Sequence, residues 1–185
     1  MYLQIVAYGD PILRKKAVEI DKTYPDLAKL IEDMYETMEK SKGVGLAAPQ
    51  VNKSIRLFVI DSTKMYEEED EKNGVKEVFI NAQMVEEVGE EWKYEEGCLS
   101  IPNIREDVFR KPKIKIKYLD ANFKKQERTY DGLTGRVIQH EYDHIEGKLF
   151  IDLIKPLRRS LLKGRLDKIT KGDVDVSYKM KFPRR

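Results

Sequence analysis

The chain holds two histidines, and both lie in the run His140-Glu141-Tyr142-Asp143-His144. On a helix of 3.6 residues per turn, positions four apart sit about 40° apart around the axis and one turn along it. Both imidazoles can therefore reach one metal ion, with Glu141 beside them to move protons of an activated water. A purely structural zinc site has no use for that glutamate, so the pattern points to a catalytic metal. Such a site needs a third protein ligand and an open position. The single cysteine is the candidate, in Glu95-Glu96-Gly97-Cys98-Leu99-Ser100. Gly97 permits an unusual backbone and Pro102 ends the segment, which sets the thiol at a strand end or turn where a ligand can project. Taken alone, a lone cysteine also reads as a small buried hydrophobe. A His₂Cys donor set does not by itself choose between Fe²⁺ and Zn²⁺, although residue chemistry alone suggests zinc.

A third cluster, Gly43-Val44-Gly45-Leu46-Ala47-Ala48-Pro49-Gln50, frees the backbone to approach a ligand and ends on an amide N–H₂ donor. It lacks the Lys-Ser/Thr ending of a phosphate-binding loop and the spacing of a dinucleotide fingerprint.

The elements that must position these groups read as follows. Asp10-Pro11 opens a short helix. Thr23 with Asp26 resembles a capping box, and Leu27, Leu30, Ile31, Met34, Tyr35 and Met38 form the apolar stripe of an amphipathic helix that Gly43 stops. Strand signals follow at residues 55–61, 75–81, 85–88 and 92–94. The alternating residues 113–118 predict a strand with one dry and one wet face, paired with residues 123–130 through the turn at Asp120-Ala121-Asn122. Residues 133–145 and 157–169 predict two further helices, the second weakened by Gly164. The order predicts an α+β fold, with mixed or antiparallel sheets around a central helix that carries the histidines. After Gly172-Asp173, residues Val174, Val176, Tyr178, Met180 and Phe182 fall on alternate positions. That run reads either as an added strand or as a partner-binding tail.

Composition bounds the rest. A chain of 185 residues with 41% hydrophobic and 37% charged residues fits one domain spanning 1–185, with a basic helical and extended tail from about 156. No apolar run approaches a membrane span, and the first residues lack a signal-peptide layout, so a cytoplasmic protein without membrane contact is expected. One cysteine agrees with a reducing compartment. A net charge of +2 is too balanced for a sequence-specific nucleic-acid protein. The acidic run Glu67-Glu68-Glu69-Asp70-Glu71 reads as solvated surface, whereas residues 155–171 are mostly basic.

Together, the segments 43–50, 96–100 and 139–144, with Gly147-Lys148-Leu149-Phe150 following, closely resemble the peptide deformylase family over roughly residues 9–152. The resemblance implies removal of the N-formyl group from the initiator methionine of nascent chains, releasing formate. It implies that Cys98, His140 and His144 are the metal ligands, that Glu141 is the acid/base, and that Gln50 and the Leu99 N–H polarise the formyl oxygen. Substrate contacts are then expected on Val44, Gly45, Glu96, Arg105, Leu133 and Val137, with Arg110 bracing the site; by residue type alone Leu133 and Val137 also read as core packing, and Arg105 and Arg110 as surface ion-pair partners. The implied natural ion is Fe²⁺, with Zn²⁺, Ni²⁺ or Co²⁺ able to occupy the site, and some members end in a basic helix proposed to meet the ribosome. Two rival readings are a zinc peptidase of the H-E-x-x-H type and a non-catalytic, metal-stabilised module that docks on the ribosome. Against the first, Glu146 is the nearest downstream acidic residue and lies only two positions after His144, an awkward ligand spacing.

Overall fold

The protein is described by a computed structural model covering residues 1–67 and 73–183. The acidic run therefore lies, apart from Glu67, outside the described residues. Strands are β1 (Ile5–Val6), β2 (Gly45–Ala47), β3 (Leu57–Asp61), β4 (Lys76–Val88), β5 (Trp92–Cys98), β6 (Ile101–Arg110), β7 (Lys113–Leu119), β8 (Lys125–Tyr130) and β9 (Met180–Lys181). The α-helices among the described residues are α1 (Leu27–Lys40), α2 (Gly132–Ile145) and α3 (Pro156–Lys171). A five-stranded antiparallel sheet runs in the order β2-β3-β4-β7-β8; β5 and β6 form a separate antiparallel pair, and β1 and β9 pair in parallel. The fold is α+β, as its order of elements predicts.

At β2 and β3 the sheet is buried on both faces, with α1 on one side and α2 on the other, whereas β7 and β8 keep an exposed polar face. In β3, Leu57 and Val59 meet Met34 and Met38 of α1, while Phe58 and Ile60 join Val137, Ile138 and Ile145 of α2. This alternation of faces is the period-two geometry of a strand, here buried on both sides. Phe58 and Phe79 stack with ring centroids 4.6 Å apart and anchor the α2 side. With α2 largely buried from Thr134 to Ile145, its histidines face inward, not toward solvent.

Several local expectations are corrected. Thr23 does not cap α1: its N–H and hydroxyl both bond to Asp21, a local turn, and the helix begins after Asp26 in the left-handed region. The helix stops through Lys42, at φ 56°, one residue before Gly43. The runs at 75–81 and 85–88 are one strand, β4, whose irregularities at Asn81 and at Met84 break the apolar alternation. Asn81, at φ 52°, brackets Ile20 by bonding both its N–H and its carbonyl. The long strand β6 carries no clear sequence signal. Its inward positions Ile104, Glu106, Val108 and Arg110 include two charges, so the pattern reads as polar although every one is buried.

A second core lies beneath α3. Leu162, Leu166 and Ile169 pack against Ile101, Ile104 and Val108 of β6 and against Leu149–Ile154, and Val174, Met180 and Phe182 of the tail join them. The tail is thus packed on the body of the protein, with only Met180–Lys181 forming a strand: the Ile5 N–H bonds the Lys179 carbonyl at 2.8 Å and the Ala7 N–H bonds the Lys181 carbonyl at 2.9 Å. No described helix is long and apolar enough to cross a membrane.

Removing the residues after Lys171 should lower the melting temperature by roughly 4–16 °C. Losing two or three half-buried apolar side chains costs about 2–4 kcal/mol, and each kcal/mol is worth about 2–4 °C in a chain of this size. Thermal unfolding followed by circular dichroism checks this. A truncated protein melting with the full chain would mean that β9 contributes no stability.

Candidate active site

Cys98 is the last residue of β5, and His140 and His144 lie one turn apart on α2. The three candidate donor atoms all lie within 4.8 Å of one another, with Cys98 Sγ 3.3 Å from His144 Nε2. A tetrahedral ion with ligand bonds of 2.0–2.3 Å separates its donors by roughly 3.3–3.8 Å, so the group fits one ion. Two buried atoms beside it, His144 Nδ1 and Glu141 Oε2, have no hydrogen-bond partner. Burial, and after it the charge of His140, holds His144 well below the usual histidine range, in the neutral form that ligates metals. Burial pulls the same way on His140, but bonds to Cys98 and Glu96 outweigh it and raise its pKa.

Glu96 is the hub around this group. It is buried, and its two oxygens accept from Arg110 Nε at 2.7 Å, Arg110 Nη2 at 3.0 Å, Arg136 Nη1 at 3.1 Å and His140 Nδ1 at 2.8 Å. Although burial opposes ionisation, the bonds from His140 and Arg110 hold its carboxyl far below the usual range. A carboxylate on Nδ1 fixes the ring and leaves Nε2 for a metal. The Glu96 carboxylate, expected among the substrate contacts, is thus engaged in orienting a histidine. Arg110 also bonds Asp143 Oδ2 at 2.7 Å, and Arg136 bonds the Trp92 carbonyl at 2.8 Å. The expected bracing by Arg110 is therefore present. Arg136 escaped the sequence reading, although Arg136, His140 and His144 form one stripe at spacing four that could have flagged it.

Glu141 is buried against Gly45. A methyl group on Gly45 would sit 2.4 Å from Glu141 Oε1, so only glycine lets the carboxylate occupy its place. Burial pushes the Glu141 carboxyl up to about 7; a divalent ion beside it would oppose that shift. Gln50 is also buried. Its Oε1 accepts from the Ala47 N–H at 2.9 Å, and its amide nitrogen lies 3.2 Å from Ser100 Oγ and 3.4 Å from Cys98 Sγ. The amide is therefore presented at the donor group with its orientation fixed by the backbone.

These groups line a cleft of about 840 Å³, together with Val44, Met65, Leu99, Arg105, Val137 and the tail residues 175–178. Arg105 pairs with Glu95 at 2.7 Å where both are exposed. Leu133 does not line the cleft: it lies on the first turn of α2, about 6 Å further along the axis than Val137. Met65, Tyr94 and Tyr178 line it without having been expected there.

Comparison with known proteins agrees with this geometry. A family model described as Polypeptide deformylase matches residues 2–160. A relative from Christiangramia forsetii named peptide deformylase is 54% identical over 190 residues, covering 99% of this chain and 97% of its own. One from Cytophaga hutchinsonii, also so named, is 53% identical over 184 residues, at 99% and 98% coverage. A crystal structure of a peptide deformylase from Legionella pneumophila superposes with a TM-score of 0.81 at 39% identity, covering 94% of this chain and 98% of that one.

Glu96→Gln should weaken metal binding by about 10–100-fold, as loss of such a histidine-orienting carboxylate does. It should also lower stability by about 3 kcal/mol or more, because Arg136 stays buried without its anion. Chelator competition and denaturant unfolding measure the two. Unchanged metal affinity would remove Glu96 from its orienting role.

Proposed function

The chain belongs to the polypeptide deformylase family, and from that premise we propose how its own residues carry the reaction. It is a metal-dependent hydrolase that removes the N-formyl group from the N-terminal formyl-methionine of newly synthesised polypeptides and releases formate. The observation carrying our assignment is the convergence of Cys98, His140 and His144 at a cleft that Cys98, His140 and Glu141 line, with Glu141 Oε2 unpartnered.

Cys98 Sγ and one nitrogen of each histidine hold the ion. When bound, it supplies Lewis acidity and makes hydroxide available near neutral pH. Glu141 takes the proton from water as it adds to the formyl carbon, then delivers it to the amine nitrogen as the C–N bond breaks. A buried carboxylate with one oxygen free of any protein partner suits both halves of that exchange. The Gln50 amide and the Leu99 N–H donate to the formyl oxygen as charge grows on it, where one such donor is worth about 3–4 kcal/mol. The Gly45 backbone binds the substrate main chain, and Val44 and Val137, with Met65, form the apolar wall for the methionine side chain. Arg105 reaches toward the peptide beyond methionine. A pocket of this kind discriminates modestly, since one methylene is worth about 1–3 kcal/mol.

A thiolate with two imidazoles is a borderline-soft donor set, and Fe²⁺ is the ion we assign, with Zn²⁺, Ni²⁺ or Co²⁺ able to substitute. Glu141→Gln should keep the metal and lose nearly all turnover of formyl-Met peptides. Metal analysis of anaerobically purified wild type and variant, beside the hydrolysis assay, tests both points. A variant within tenfold of wild type would exclude Glu141 as the proton carrier, and zinc in the anaerobic wild type would exclude iron.

Chain 1–185 is read as one catalytic domain, since the C-terminal elements complete a core shared with β6. The cytoplasm, where nascent chains emerge, is the compartment this function requires. We also assign α3 to ribosome contact. Lys155, Lys163, Lys168 and Lys171 on or beside it are exposed, as are Leu157 and Leu161. Binding carried by lysines on RNA phosphate weakens steeply with salt. Cosedimentation with ribosomes should therefore fall as salt rises and fall again on replacing these lysines with glutamate. Salt-independent association, or none, would rule the contact out.

A further inference from the structure

The short turn between β5 and β6 carries Leu99 and Ser100, and the rest of the chain grips it at three points. The Tyr178 hydroxyl donates to the Leu99 carbonyl at 2.8 Å, the Tyr8 N–H donates to the Ser100 carbonyl at 2.8 Å, and Gln50 Nε2 donates to Ser100 Oγ at 3.2 Å. Two of these grips come from the ends of the chain. Tyr8 follows β1 and Tyr178 precedes β9, and the two strands pair with each other.

Tyr178 is itself well anchored. The next residue, Lys179, accepts from the Ile5 N–H at 2.8 Å and donates its own N–H to the Tyr2 hydroxyl at 3.2 Å. Three residues earlier, the Asp175 carbonyl accepts from Asn103 Nδ2 at 3.0 Å, which staples the tail to β6. Residues 175–178 line the same cleft as the glycine-rich segment. The tail is thus held at both ends of a stretch that borders the reacting centre.

We propose that Tyr178 is a positioning residue for deformylation, its hydroxyl fixing the Leu99 peptide so that the neighbouring Leu99 N–H stays aimed at the formyl oxygen. The inference rests on the reading of Leu99 as an oxyanion donor. Freed of the bond, the Leu99 carbonyl can rotate and carry the adjacent peptide with it. A displacement near 1 Å at a reacting centre can cost about 100-fold, and a donor aimed at developing charge acts mainly on the transition state. The loss therefore belongs in kcat and not in KM.

The test is steady-state hydrolysis of formyl-Met-Ala-Ser by metal-loaded wild type and Tyr178→Phe, with metal content and melting temperature measured alongside. The expected result is a fall in kcat of about 5–20-fold with KM within twofold and metal content unchanged. Replacing Tyr178 with para-aminophenylalanine, which keeps a donor at the same ring position, should restore most of the lost kcat; this variant also decides the matter if phenylalanine proves unstable. A Tyr178→Phe enzyme with kcat within twofold of wild type overturns the proposal. So does a change confined to KM, which would make Tyr178 a substrate contact, or a folded aminophenylalanine enzyme that stays as slow as the phenylalanine one. A wild type inactive on the peptide would instead sink the catalytic reading itself.

Discussion

The Glu96 carboxylate, buried on β5, accepts hydrogen bonds from Arg110 on β6 and from Arg136 and His140 on α2. It bonds one donor of the metal group, His140, directly, and is linked to the other two through β5 and α2. Cys98 lies two residues along the same strand, and both histidines lie on the helix that the carboxylate grips. Two guanidiniums and an imidazole around one carboxylate would be costly to desolvate singly; together they satisfy its two oxygens, although Arg136 Nε is left without a partner. Asp143 accepts from the Arg110 guanidinium, while Arg136 donates to the Val108 and Trp92 carbonyls. The β5–β6 pair belongs to neither sheet face, so this cluster, with the apolar contacts of the second core, ties it to the helix.

A second constraint is steric. Gly45 on β2 and Glu141 on α2 approach so closely that any side chain on the glycine would displace the carboxylate. The distance between the sheet edge and α2 is therefore part of the chemistry: it keeps Glu141 dry and leaves one of its oxygens without a protein partner. Phe58 and Phe79, stacked between sheet and helix, set that distance from the core side.

The histidine pair was legible because its spacing is covalent: four residues on a helix suffice to bring two imidazoles together. Cys98 and Gln50 followed from residue type and local segment, and the family resemblance joined them. The role of Glu96 was not legible, because its partners come from two other segments, β6 and α2, that meet it only in the folded chain. Strand β6 was hidden for a related reason: its buried charges Glu106 and Arg110 find partners elsewhere and so mask the apolar alternation. Leu133 shares a helix face with Val137, which is all a sequence can say; how far along the axis the cleft extends is a tertiary fact. The tail stayed ambiguous because its alternating pattern needs a partner strand, and that partner is only two residues long at the opposite end of the sequence.

The pairing of Ile5–Val6 with Met180–Lys181 has a consequence for the timing of synthesis. At about 5–20 residues per second, on the order of ten to thirty seconds separate translation of these two strands. During that interval the first strand waits without its neighbour, and contacts of such sequence separation are the slow ones to form. The five-stranded sheet and α2 can assemble earlier, from segments closer together in the chain. The β1–β9 pairing beside the Leu99–Ser100 turn can therefore form only after residue 181 has cleared the exit tunnel. A protein that processes emerging chains thus completes its working geometry only after it has itself emerged.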